Sequence, residues 1–540
     1  MTTTPWWRGA VVYQVYPRSM MDANNDGIGD IPGIISKLDY LESLGVDAIW
    51  VSPFFKSPMK DFGYDISDYR AIDPIFGSLA DFDELIEKAH ARGIKIIIDQ
   101  VLSHTSDMHG WFQESRESRD NDKADWYVWA DPKPDGTPPN NWLAIFGGSA
   151  WEWEPRRCQY YLHNFLKTQP DLNYHCAAVQ QQILDEVEFW LKRGVDGLRL
   201  DAIIFCFHDK LLRDNPAKPE AERRGRGFRE DNPYAFQRHV YDCDRPENLQ
   251  FLESLRALMD RYPGTVTLGE IASEDSLKTM AEYTAGNSRL HMAYSFELLV
   301  DQLSGSYIRE TVETLEQKLL EGWPCWSIGN HDVVRVMSRW GGKDQSPQLA
   351  KTLNAMLLSL RGSVCSYQGE ELGLTEVDIP FEQLQDPYGI TFWPRFKGRD
   401  GCRTPMPWNH ADQHAGFSQT SGWLPVAAEH KAAAVSLQDD NRDSVLNAYR
   451  TFMHWRKQQP ALRLGDIKFV ADAEDYLVFT REYQGEKLLC AFNFSAQPVA
   501  IPLNTDYTLI AVDGHGCCTA NTSGQQLDIP AYSAFIARVQ

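Results

Sequence analysis

Three acidic residues stand at the ends of short apolar runs. Asp201 closes Gly197-Leu198-Arg199-Leu200, Glu270 closes Thr265-Val266-Thr267-Leu268-Gly269, and Asp332 follows Ser327-Ile328-Gly329-Asn330-His331. A lone carboxylate reads most simply as a helix cap or a solvated surface group. Three of them at the C-terminal ends of parallel strands converge at one rim. Cleaving a glycosidic bond needs such a set: one carboxylate to attack or to activate water, and a second kept protonated to donate to the leaving oxygen. A separation of about 5–5.5 Å favours the retaining, covalent route and about 6.5–9.5 Å inversion. Arg199, two residues before Asp201, shares its face of the strand and stabilises the ionised form, with an ordinary salt bridge as the plainer reading. His104 and His331 offer hydrogen bonds to sugar hydroxyls. Paired with Asp99 and Asp332 they also suggest a catalytic divalent metal, but no HExxH or His-rich cluster accompanies them.

Two further signals concern ligands. Seventeen tryptophans, among them Trp142, Trp151 and Trp153, supply flat apolar faces for a pyranose ring, although most must fill core. The run Asp22-Ala23-Asn24-Asn25-Asp26-Gly27-Ile28-Gly29-Asp30 places oxygen side chains at positions 1, 3, 5 and 9, a glycine at 6 and the Ile28 carbonyl at 7, the pattern of a hard-cation loop. Position 12 is Gly33, where an EF-hand needs a glutamate, so the loop is no EF-hand sensor. A structural Ca²⁺ or Mg²⁺ held by Asp22, Asn24, Asp26, Ile28 and Asp30 is favoured over an unmetallated Asx-turn loop.

The elements that must position these groups alternate. Val11–Tyr16, Asp47–Val51, Ile94–Asp99 and Val195–Asp201 read as strands, each followed or preceded by a helical pattern. One such helix runs from Ile31 to Leu44 and stops at Gly45, another carries Leu79 to Ala89 and stops at Gly93, and a third carries Val179 to Leu191 and stops at Gly194. Thr265–Gly269, Ala293–Phe296, Trp326–Gly329 and Val364–Gln368 bring the strands to eight. Eight units with polar residues at the strand ends favour a closed (β/α)₈ TIM barrel, of class α/β, over an open doubly wound sheet. Residues 104–173, rich in Trp, Pro, Gly and Asn, exceed any ordinary βα loop and predict an inserted lobe after strand 3. From about 461, short alternating runs separated by turns predict a C-terminal antiparallel β domain. The expected organisation is barrel over 1–103 and 174–460, lobe over 104–173 and β domain over 461–540.

Bulk properties narrow the partners. Lys plus Arg number 53 against 75 Asp plus Glu, a net charge of −22 that repels phosphate backbones and acidic lipid surfaces. Nucleic acid and membrane are therefore poor partners. No signal-like segment opens the chain and nowhere do 18 apolar residues run together, which makes the cytoplasm the default location. Ten cysteines without CxxC pairing, Cys517-Cys518 included, suit small buried hydrophobes in a reducing compartment. Oligomeric state is not encoded in any of these features.

The residues together resemble the α-amylase superfamily (glycoside hydrolase family 13), in its α-glucosidase and oligo-1,6-glucosidase branch. The likeness spans nearly the whole chain and rests on Asp99-Gln100-Val101-Leu102-Ser103-His104, Gly197–Asp201, Gly269-Glu270-Ile271 and Asn330-His331-Asp332, in the family's order. It implies Asp201 as nucleophile, Glu270 as general acid/base and Asp332 as the carboxylate that fixes substrate hydroxyls. It further implies Asp61 and Tyr64 in Asp61-Phe62-Gly63-Tyr64-Asp65 as hydroxyl-binding and stacking residues, Arg399 as the arginine gripping the non-reducing end, and Phe165 and Gln169 as pocket walls. His104, Arg199 and His331 complete the expected substrate contacts. The 22–30 loop matches the family's structural calcium or magnesium site, and no organic cofactor is implied. In this branch valine after the nucleophile accompanies α-1,6 preference and alanine or threonine α-1,4 preference; Ala202 stands there here. The expectation is an exo-acting retaining α-glucosidase of short, maltose-like α-glucosides that also passes glucose to small hydroxyl acceptors. The alternatives are a predominantly transferring or sucrose- or isomaltose-acting enzyme of the same superfamily, a catalytically silent sugar-binding protein, and a metal-dependent barrel hydrolase.

Overall fold

Eight short apolar runs form one parallel sheet: β1 (Val11–Val15), β2 (Ala48–Val51), β3 (Lys95–Val101), β4 (Gly197–Asp201), β5 (Val266–Ile271), β6 (Met292–Ser295), β7 (Cys325–Trp326) and β8 (Ser363–Tyr367). The computed structural model describes residues 4–223, 232–319, 321–342, 344–503, 507–518, 521–523 and 525–540. The strand order β6-β5-β4-β3-β2-β1-β8-β7 is the chain order wrapped into a ring, and the parallel bridge Ala293–Pro324 joins its two ends. The sheet is thus a (β/α)₈ barrel, as the alternation of elements predicts. Among the described residues, no helix is long and apolar enough to cross a membrane.

The strands are buried on both faces, which is why they read as near-continuous apolar runs. In β4 every residue is buried. Leu198 and Leu200 join the large core between barrel and helices, leaving Arg199 and Asp201 to face inward. The barrel interior holds a separate cluster that includes Trp50, Ile97, Leu268, Met292 and Tyr294.

The helices follow their sequence signals with one exception. Leu79–Ala91 opens on a Ser78/Asp81 capping box, buries Phe82, Leu85, Ile86 and Ala89, and yields to Gly93 at φ 72°. Ala177–Lys192 buries Val179, Ile183, Val187 and Trp190. The single helix expected over Ile31–Leu44 is two, Ile31–Ser36 and Leu38–Leu44. The break lies at Lys37, whose N–H turns to the Ile34 and Ile35 carbonyls while its ammonium sits 4.2 Å from the Trp408 ring centre. Apolar spacing cannot register such a tightened turn because both halves keep their faces on the same core.

Between β3 and Ala177–Lys192 the chain builds an antiparallel sheet of Trp129–Ala130, Gln159–Leu162 and Trp151–Glu154. The bridges His104–Asp171 and Tyr127–Leu172 fasten the way into this excursion to the way out. From Asp466 onward the strands are antiparallel, in a five-stranded sheet and a three-stranded one. Arg481, buried, stitches this region to the barrel, and a second buried arginine braces the same helix end from within the barrel. Arg456, on the helix Val445–Lys457, donates to the Leu358 and Gly9 carbonyls at 2.7 and 2.8 Å, and Arg481 donates to those of Ser359 and Leu360 at 2.6 and 2.9 Å. Both thereby satisfy carbonyls at the C-terminal end of the helix Pro347–Ser359.

Candidate active site

Strand register brings the acidic residues together. Asp99 pairs with Arg199 across β3 and β4, and Leu268 pairs with Arg199 across β4 and β5, so Asp201 and Glu270 stand side by side at the same rim. The wholly buried Arg199 guanidinium lies beneath them. Its Nη1 reaches Asp201 at 2.6 Å and Asp99 at 2.9 Å, and its Nη2 reaches Glu270 at 2.6 Å. Tyr294, on β6, donates to Glu270 Oε1 at 3.1 Å, and the Ala202 N–H donates to Glu270 Oε2 at 3.0 Å.

This geometry sets the proton affinities. Burial pushes Glu270 up to about 7, with Arg199 opposing and Asp201 assisting. Burial likewise pushes Asp201 up to about 7 against the pull of Arg199. Two carboxyls that share one cation and repel each other titrate as a pair, so near neutrality they hold about one proton between them. Asp332 behaves differently. Burial works against its charge, but His331 at 3.2 Å, Arg399 at 3.2 Å and Arg403 at 2.9 Å together outweigh burial and hold it well below the usual carboxylate range.

A second constellation closes one end of the cavity. Arg399 Nη2 reaches Asp61 at 2.8 Å, and Gln169 donates to the other Asp61 oxygen at 3.1 Å. Behind Arg399 stands Asp386, fully buried, which accepts from the Arg399 backbone N–H at 2.7 Å, Nε at 3.0 Å and Nη2 at 2.8 Å. The approach is so close that a Cβ on Gly398, already at φ 81°, would lie 2.7 Å from Asp386 Oδ2. Tyr64 forms the floor. Gln14 donates to His331 Nδ1 at 2.7 Å, which leaves Nε2–H to face the Tyr64 hydroxyl at 2.5 Å, and Tyr64 donates to Asp99 at 3.1 Å.

Asp61, Tyr64, His104, Phe165, Gln169, Asp201, Glu270, Asp332 and Arg399 all line one cavity. Arg199 and His331, expected as sugar contacts, stand behind that lining, with no exposed surface. Burial lowers His104 to about 4, so it meets a ligand as a neutral ring. The lobe tryptophans do not serve as stacking faces in this cavity. Trp142 and Trp151 stack on each other at 5.9 Å inside the lobe, and Trp153 is exposed outside the lining. Phenylalanines take that place: Phe146, Phe205 and Phe296 join Phe165, with Ile204, Ala272 and Tyr388 between them. Sequence reasoning missed these and Asp386, since they lie on irregular loops where no period marks the inward side. The stretch Asp386-Pro387-Tyr388-Gly389 carried the one usable hint, a helix cap followed by proline.

The 22–30 loop folds back on itself. Asp22 accepts from the Asn25 and Gly27 N–H groups at 2.7 and 2.8 Å, Asn24 from Asp26 at 2.9 Å, and Asp26 from Ile28 at 2.8 Å. Asp30 caps the helix Ile31–Ser36 through Gly33 at 2.6 Å. Among the described residues, none of these three carboxylates has a Lys, Arg or His partner within ion-pair distance. Their oxygens accept backbone N–H groups of the loop and of the following helix, and among the described residues no cluster of three or more His, Cys, Asp or Glu side chains is placed to hold a metal ion.

Residues 14–465 match the family model of the α-amylase catalytic domain, and residues 467–536 that of the maltogenic amylase C-terminal domain. The chain belongs to the α-amylase family. Within the family it falls in the α-glucosidase and oligo-1,6-glucosidase branch, and it is a retaining enzyme that works on α-glucosides. A probable α-glucosidase of Rhizobium meliloti (strain 1021) is 52% identical, covering 99% of this chain and 97% of that protein. An oligo-1,6-glucosidase of Heyndrickxia coagulans is 38% identical, covering 92% and 93%. The crystal structure of the α-glucosyl transfer enzyme XgtA superposes with a TM-score of 0.98 at 64% identity, with both chains covered completely.

Proposed function

We propose that this protein is an exo-acting α-glucosyl transferase that takes the terminal glucose of short, maltose-like α-glucosides and passes it to small hydroxyl acceptors in preference to water. Sequence reasoning puts hydrolysis first. The division of the cavity, together with the likeness to an α-glucosyl transfer enzyme, reverses that order. Groups that grip hydroxyls come from the loops after β2, β3, β7 and β8, whereas the loops after β4, β5 and β6 offer Ile204, Phe205, Ala272 and Phe296. An apolar acceptor side binds the face of an organic acceptor and holds water poorly.

In the reaction, Asp61, Arg399 and Asp332 hold the hydroxyls of the terminal glucose against Tyr64, and Gln169 seals the end so that only one sugar fits. Glu270 gives its proton to the glycosidic oxygen while Asp201 attacks the anomeric carbon, which breaks the C–O bond and forms a β-glucosyl ester. Arg199 takes up the charge that moves between the two carboxyls. Glu270, now ionised, removes a proton from the acceptor hydroxyl, whose oxygen displaces Asp201 and restores the α configuration. Ala202 beside the nucleophile supports α-1,4 over α-1,6 linkages. The 22–30 loop would hold a structural Ca²⁺ or Mg²⁺ through Asp22, Asn24, Asp26, the Ile28 carbonyl and Asp30, apart from the chemistry. Its removal by chelation should lower Tm, and an unchanged Tm in metal-free buffer would reject it.

The deciding experiment follows products from maltose at low and high concentration. Free glucose released per maltose consumed should fall from about two, the hydrolytic value, toward about one half as maltose rises and a second maltose accepts the glucosyl group, with α-configured products throughout. Free glucose in twofold excess over consumed maltose at every concentration would reject the transferase reading and leave a hydrolase.

A further inference from the structure

Ala202 is a non-glycine residue in the left-handed region, at φ 42° and ψ 39°, directly after Asp201 and buried at the cavity wall. L-residues other than glycine, asparagine and aspartate seldom adopt this conformation, and where they do inside a functional site the surrounding structure must hold them there. The holding groups are visible. The Phe205 N–H donates to the Ala202 carbonyl at 3.0 Å, closing the short turn Ile203–Phe205, and Asn248 Nδ2 donates to the Ile203 carbonyl at 2.8 Å from the helix Asn248–Met259. The chain is thus forced to turn sharply the moment it leaves β4. The direct product of that turn is the aim of one donor: the Ala202 N–H points across to β5 and meets Glu270 Oε2.

We propose that residue 202 is a positioning residue for the acid/base, its left-handed backbone aiming an N–H at Glu270 Oε2 that steadies the ionised carboxylate and fixes its orientation. This rests on the reading of Glu270 given above and goes beyond it. The side chain at 202 has a second influence besides its bulk in the pocket, because any residue that resists the left-handed conformation also disturbs the donor. The other groups facing Glu270 are Arg199 and Asp201 from β4, Tyr294 from β6 and Asp332 from beyond β7. Arg199 and Tyr294 both act on Oε1, so the Ala202 N–H is the donor that Oε2 receives. It favours the charged form, which the enzyme needs when Glu270 must take a proton from the acceptor.

The test separates backbone from bulk. Replacing the Ala202 amide by an ester, with lactic acid at 202, deletes the N–H and keeps the methyl group. The alkaline limb of kcat/KM for maltose, which reports loss of the Glu270 proton, should move up by about half to one pH unit. Ala202→Val, β-branched and averse to positive φ, should move it the same way, while Ala202→Asn, similar in size but tolerant of that conformation, should leave it in place. An ester enzyme whose limb stays within about 0.2 unit of the parent overturns the proposal, as does an equal shift for Val and Asn, which would make bulk the cause. Should the Val variant fail to fold, the ester and Asn enzymes decide alone. Glu270→Gln, assayed with a nitrophenyl α-glucoside that needs no acid assistance, marks whose limb is read. Loss of the limb assigns it to Glu270, whereas its persistence removes the acid/base assignment and this proposal with it.

Discussion

The two halves of the barrel mouth solve opposite problems. On the side of the loops after β7, β8, β2 and β3, Asp332, Arg403, Arg399, Asp386, Asp61 and Gln169 form an interlocked set in which each charge meets an opposite one within 3.2 Å. On the β4, β5 and β6 side, two carboxyls share one arginine and the surface beyond them is aliphatic and aromatic. In the first half Asp332 and Asp386 are held ionised, and the second half is poised to exchange a proton. Recognition of a sugar's hydroxyls needs donors and acceptors that do not change, while the chemistry needs a group whose charge does. The barrel assigns these tasks to different arcs of one ring.

Arg399→Ala should break this division most severely, since it leaves Asp386 and Asp61 as buried, unpaired carboxylates. A fall in kcat/KM for maltose on the order of 10²–10³-fold is expected. A change below about threefold would show that the grip is made elsewhere.

Stability against pH sharpens the contrast. Burial raises Glu270 to about 7 in the fold, so the unfolded chain ionises first and the native state loses stability as pH climbs from about 4.3 to about 7. Glu270→Gln removes that penalty and should stabilise the protein by about 1–3 kcal/mol at pH 7.5, with no gain at pH 4. Asp332, depressed by His331 and its arginines, contributes stability above the unfolded aspartate value of about 3.9 that is lost as pH falls below it. Asp332→Asn should therefore destabilise at pH 7 and converge on the parent at acid pH. Parallel Tm-versus-pH curves for both variants would contradict the split.

The smallest effect is expected at the apolar rim. Phe205, which packs edge-on against Phe165 at 5.5 Å, can be cut back to alanine without touching a charge. The ratio of transfer to hydrolysis should fall about 2–10-fold while KM for the donor stays within twofold. An unchanged ratio would detach the apolar arc from acceptor binding.

Much of this was legible in the chain itself. The β4 and β5 runs end in Asp201 and Glu270, and strands buried on both sides must be short and apolar, so barrel and acid pair could be read together. The lobe tryptophans misled because size and flatness serve a core as well as a pocket; Trp142 and Trp151 pack on one another. Asp386 was hidden because its partner Arg399 lies across a loop with no period, and the left-handed turn at Ala202 because alanine carries no mark of it. The break at Lys37 escaped for the converse reason, the period continuing across a kink.

Arg456 and Arg481 bear on how the chain is divided. The stretches matching the catalytic and C-terminal models meet between residues 465 and 467, a clean cut on paper. In three dimensions that cut crosses a joint: Arg481, from beyond it, finishes a helix that began at Pro347. A barrel made without its last seventy or so residues would keep every catalytic side chain yet end one of its supports in open carbonyls, so the β sheet is a structural member of the enzyme and not its passenger.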